Sequence, residues 1–114
     1  MKDPKSRKAT PAETVYYRNK LVVEFIERRF QSTDDASWMD GNCYWFARIL
    51  CDRFSFLQLG YDPIIGHFYA VYEDGETMFD FEGKHPLCAK VLLMKTIKKI
   101  DKLWYNRLVH DCIE

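Results

Sequence analysis

The stretch Gly41-Asn42-Cys43-Tyr44-Trp45-Phe46-Ala47-Arg48-Ile49-Leu50 reads as a loop that turns into a helix with a cysteine in its first turn. Asp40-Gly41-Asn42 is turn chemistry, and Asp40 or Asn42 can cap the helix. Cys43, Phe46, Ala47, Leu50, Cys51 and Phe54 recur at helical spacing and form one inward face. Arg48, Asp52 and Arg53 fall outside it, and the helix should end near Phe54 or Ser55. A helix with one apolar face needs a partner surface to bury it.

That partner follows directly. Gly60-Tyr61-Asp62-Pro63 reads as a turn, and Ile64 to Glu73 as a strand rich in β-branched and aromatic residues. Asp74-Gly75 is a two-residue hairpin signal, and Glu76 to Phe81 is the return strand. This loop sets the register: Val71 faces Met78, Tyr69 faces Asp80 and His67 faces Glu82. Ile65, His67, Tyr69, Val71, Met78, Asp80 and Glu82 then share one face. Phe68, Ala70, Tyr72, Thr77, Phe79 and Phe81 share the other.

Upstream, Thr10-Pro11-Ala12-Glu13 carries a capping box and a proline suited to a first helical turn. The helix should run to about Phe30, with Val15, Val22, Phe25, Ile26 and Phe30 as its stripe, and Ser32-Thr33-Asp34-Asp35 breaks it. Residues 1–10 read as a flexible basic tail, and 11–114 as a single domain. Downstream, Gly83-Lys84-His85-Pro86 ends the hairpin. Val91-Leu92-Leu93-Met94 reads equally as strand or buried helix, and Asp101 can cap a last helix carrying Leu103, Trp104, Leu108 and Ile113. The fold class expected is α+β: a nucleophile helix packed on a small antiparallel sheet, with helices at both ends.

Apolar residues make up 47% of the chain, which suits a packed core rather than disorder. Lys plus Arg and Asp plus Glu number 17 each, so no global field favours nucleic acid or a membrane surface. No apolar run approaches a membrane span, and the basic start lacks the apolar core of a signal peptide. A cytoplasmic location with reduced thiols is expected. Cys43, Cys51, Cys88 and Cys112 show no CxxC spacing. Cys43 and Cys51 would lie ~12 Å apart on one helix, beyond the ~7 Å limit for a disulfide.

The hairpin register gives a histidine two acidic neighbours on its own face. Glu82 sits across from His67 at ~5 Å, and Asp80 lies on the diagonal at ~7–8 Å between backbones. Cys43, in a first helical turn, feels the positive end of the helix dipole, which favours thiolate. If that turn packs over His67, a thiolate–imidazolium pair forms and a carboxylate orients the ring. The Cys43 N–H is a natural oxyanion donor. Asn42, Trp38 and Tyr69 are candidates for a second.

Gly41-Asn42-Cys43-Tyr44-Trp45-Phe46-Ala47 resembles the G-x-C-x-x-F-A helix start of the transglutaminase-like branch of the papain-like cysteine enzymes. Gly66-His67-Phe68-Tyr69-Ala70-Val71-Tyr72 resembles its second motif, and Phe79-Asp80 its third, in the same chain order. The peptidoglycan-peptidase branch (NlpC/P60-type) shares this Cys-on-helix, His-on-strand plan. The resemblance covers residues 41–83. It implies a minimal papain-like core with Cys43 as nucleophile, His67 as base and Asp80 as orienting acid. It further implies acyl chemistry on an amide or ester of a peptide or protein substrate, with no cofactor or metal. This chain departs from the pattern in three places. Phe68-Tyr69 replaces the usual small residue and tryptophan after the histidine. Phe81-Glu82-Gly83 follows the aspartate where a proline is common. The Cys43–His67 interval is short enough to imply a missing strand.

Other readings use the same residues. Cys43 suits a plain core position. The scaffold also suits a non-catalytic binding or inhibitor module, such as a mobile-element protein acting on a host protein. His85-x-x-Cys88 with His110-x-Cys112 offers four zinc ligands at uncommon spacings. Trp38, Trp45 and Trp104 lack the basic groove that base stacking requires.

Overall fold

The computed structural model describes residues 10–30 and 42–113, with the side chains of residues 112 and 113 left out. Residues 1–9 of the expected tail at 1–10, the break at 32–35, Trp38, Asp40, Gly41 and the Cys112 thiol lie outside the described residues.

Helix α1 runs Pro11–Arg29. Thr10 accepts from the Glu13 N–H while the Glu13 carboxylate accepts from the Thr10 N–H, closing the expected capping box. Helix α2 runs Cys43–Arg53, with Asn42 as N-cap residue making no side-chain cap bond and Phe54 as C-cap. Five strands follow: β1 Leu57–Asp62, β2 His67–Tyr72, β3 Thr77–Asp80, β4 Gly83–Pro86 and β5 Leu92–Leu93. Helices α3 Met94–Ile100 and α4 Lys102–Ile113 complete the described chain. Asp101 Oδ1 accepts from the Trp104 N–H and so caps α4 as expected. The protein is thus an α+β domain with an antiparallel sheet ordered β4-β3-β2-β1-β5.

The register of β2 on β3 is Val71↔Met78 and Ala70↔Phe79, the one Asp74-Gly75 dictates. The two faces of the hairpin are covered differently. Phe68, Ala70, Tyr72 and Phe79 meet the helices: Val22 and Ile26 of α1, Phe46 and Leu50 of α2, Met94 and Ile97 of α3. Tyr69, Val71 and Met78 point the other way and are covered by Leu87, Cys88, Val91 and Leu93. The body of α2 thus lies on the face opposite His67, and only its first turn comes near the histidine. Its apolar side is drawn to the larger aromatic surface of the opposite face, where burial releases more water.

Three further elements differ from expectation. Residues 57–62, whose Gly60 suggests a turn, form β1, and this strand occupies part of the interval between Cys43 and His67. The turn lies later, at residues 63–66, where Asp62 Oδ1 accepts from the Ile64 N–H and Gly66 takes φ 68°. Ile64 and Ile65 are exposed there rather than extended in a strand. Residues 83–86, expected only to end the hairpin, return as edge strand β4. Gly83 makes the turn at φ 117°, and an edge tolerates Pro86. Residues 87–100 resolve into β5 and α3, so both readings of that stretch hold in part.

Gly60 has a packing reason. A Cβ there would lie 2.7 Å from Val71 Cγ2 and 2.9 Å from Val91 Cγ1. Gly60→Ala should therefore destabilise the fold by about 1–3 kcal/mol, since two stiff valines must shift. A fall in the urea midpoint measures it; an unchanged midpoint would show that the sheet relaxes freely.

Candidate functional site

The site forms where α2 begins and β2 begins. Pairing of β2 with β3 stops at Ala70↔Phe79, short of Phe68. The Phe68 N–H is then left for another acceptor, and Cys43 supplies it. The backbone N–H groups of Phe68 and Tyr44 and the ring of His67 all act on the thiol and favour its ionised form. A helix on one face of the sheet thus reaches a histidine on the other through the gap at the strand ends.

His67 Nε2 lies 3.2 Å from Asp80 Oδ2. Asp80 is 3% exposed, so its charge needs partners, and it has three. Besides His67, the Glu82 N–H donates to Oδ1 at 2.9 Å and His85 Nε2 donates to Oδ1 at 2.7 Å. Burial pushes the Asp80 carboxyl up, but the bonds from His67, His85 and Glu82 outweigh it and leave it below the ordinary carboxylate value. An ionised Asp80 only accepts, so both imidazoles carry their proton on Nε2. That leaves Nδ1 of His67 for the thiol.

The bond to Asp80, then the contact with Cys43, raises His67 to about 9 against the opposing effect of burial. Burial pushes Cys43 up, yet the His67 bond, the two backbone N–H groups and the His67 charge bring it net below the ordinary thiol value. Both shifts favour a thiolate–imidazolium pair. Cys51 behaves oppositely: burial, then Asp52, pushes it up to about 12, as befits an inert core thiol. Cys88 packs at the edge of the Tyr69 cluster.

Cys43, His67 and Asp80 are therefore brought together from three elements. Of the two acids expected beside His67, Asp80 holds the ring. Glu82 lies beyond the end of β3, is exposed, and serves Asp80 through its backbone. Tyr69 stands edge-on to His67 at 4.7 Å between ring centroids. Burial, then the charges of Asp80 and Asp62, raises its phenol, which stays protonated and able to donate. Cys43 and His67 each keep 8% of their surface. A cavity of about 510 Å³ borders His67, Tyr69, Asp80, Glu82 and His85; Cys43 does not line it.

Two residues at the site escape sequence reasoning. Asp62 sits directly opposite His67 across β1–β2 and is buried, but it is hidden inside what reads as a turn. His85, which reads as one of four candidate zinc ligands, instead donates to Asp80. Among the described residues no group of three or more His, Cys, Asp or Glu is arranged to hold a metal ion, and no helix is long and apolar enough to cross a membrane. No family model, no curated protein and no solved structure matches the chain, which leaves the geometry to carry the chemistry.

Proposed function

We propose that the protein is a thiol-dependent acyl-transfer enzyme, built on the minimal papain-like plan its motifs resemble and acting on an amide or ester of a peptide or protein. The observation that carries this reading is the chain of contacts from Cys43 to His67 to Asp80. Nucleophile, base and orienting acid arrive from separate elements, each with its protonation biased toward that role. Cys43 Sγ attacks the acyl carbon, and the carbonyl oxygen becomes an oxyanion facing the Cys43 N–H. His67 passes its proton to the departing amine or alcohol, leaving a thioester. Water or an amine then attacks the thioester as His67 takes the proton back, and the thiolate departs. Asp80 stays ionised throughout.

Iodoacetamide at pH 7 tests this. Cys43 is far less accessible than an exposed thiol, so only thiolate character can make it react first. Its alkylation is expected to run at least about ten-fold faster than that of Cys51 and Cys88, because the thiolate is the form that reacts and His67 favours it at Cys43. Mass spectrometry of the labelled peptides reads the order. If Cys43 lags both, the thiol is an ordinary core group and a binding module on the same scaffold becomes the better account.

A further inference from the structure

We propose that His85 is a positioning residue of this site: by holding the second oxygen of Asp80, it aims the first at His67. The inference rests on the Cys43–His67–Asp80 reading above and names a member that reading does not require.

The geometry is a matter of register. His85 pairs with Met78 across β3–β4, and Asp80 pairs with Gly83. His85 and Asp80 are therefore diagonal neighbours on one face. His67 is the corresponding diagonal neighbour from the other side, on β2. Three adjacent strands thus deliver an imidazole, a carboxylate and an imidazole in a row. The His85 bond, at 2.7 Å, is shorter than the His67 bond at 3.2 Å. Tyr69 stands edge-on to both rings, with centroids at 4.7 Å and 6.3 Å.

A carboxylate has two orientational freedoms, χ1 and χ2, and χ2 is broad. The Glu82 N–H alone would hold Oδ1 through a local turn, which constrains the side chain loosely. The second donor comes from a different strand and closes the remaining freedom. Oδ2 is then fixed toward His67 Nε2, which in turn fixes Nδ1 toward Cys43. Partners of this kind orient the group they touch without meeting the substrate. His85 side-chain exposure of 32% keeps one edge of the ring on the cavity, so substitution there disturbs little of the core.

The test compares His85→Leu with His85→Gln. Gln can place its amide nitrogen near the position of Nε2 and keep the donor; Leu cannot. The readout is the rate of Cys43 alkylation by iodoacetamide across pH 5–10, with circular dichroism confirming the fold. His85→Leu is expected to move the acid limb up by about one pH unit and to lower the rate at pH 7 about ten-fold. That is the worth of one hydrogen bond to a charged group. His85→Gln is expected to return most of the wild-type profile. A folded His85→Leu with the wild-type profile overturns the positioning role while the activated Cys43 stands. A shift that Gln fails to reverse overturns it also, because the donor is then not what matters. A wild-type Cys43 with no activation removes both this role and the reading it rests on.

Discussion

Asp80→Asn is expected to slow alkylation of Cys43 at pH 7 by about a hundred-fold, because the thiol loses the partner that takes its proton. The substitution is isosteric, so the shape is kept while the carboxylate charge and the hydrogen-bond sense both change. Oδ1 receives the Glu82 N–H and His85 Nε2–H, and an amide must keep its oxygen on that side to avoid donors facing donors. Its NH₂ group then points at His67 Nε2. That nitrogen is forced to accept, and the proton moves to Nδ1, the side that faces the thiol. Cys43 loses its proton acceptor, and burial then dominates and holds it as a thiol. The same wrong-tautomer logic explains large losses in serine triads. A folded Asp80→Asn whose Cys43 alkylates at the wild-type rate would sink the orienting role of Asp80.

Much of this arrangement is legible in the order of the residues. The hairpin register follows from Asp74-Gly75, because a two-residue loop admits one pairing, and that pairing puts His67 and Asp80 on one face. The first helix is equally plain, since Thr10, Pro11 and Glu13 mark its start chemically. What stays hidden depends on contacts distant in sequence. Gly60 signals a turn by local rules, and only Val71 and Val91 pressing on it explain a glycine inside a strand. The side on which α2 packs is a competition between two faces of one hairpin, and periodicity cannot rank them. His85 reads as a candidate zinc ligand at an uncommon spacing until β4 folds back beside β3, after which its register with Asp80 is fixed by the Gly83 turn.

The pH dependence of stability carries a signature of the pair rather than of either member. His67 is raised from 6.5 to about 9, so its contribution is full below pH 6.5 and fades as pH rises through 9. Cys43 is lowered from 9.0, so its contribution is full above pH 9 and fades as pH falls through its folded value. Between pH 6.5 and 9 the two slopes oppose each other. The reason is a proton count: the folded pair holds one proton on the imidazole, and the unfolded chain holds one on the thiol. Where the window lies above the folded value of Cys43, wild-type stability should change little on their account. Cys43→Ser removes the rising contribution, while the bond to Asp80, the largest cause of the His67 shift, remains. The variant should then lose up to about 2 kcal/mol more than wild type between pH 6.5 and 9. Asp80, lowered from 3.8, adds a separate loss at more acid pH in both proteins. Urea midpoints at half-unit steps of pH measure the difference directly, and groups common to both chains cancel from it. Parallel curves for the two proteins would mean that removing Cys43 leaves the proton balance of folding unchanged, which sinks the reading of Cys43 as a thiolate balanced by an imidazolium that Asp80 holds.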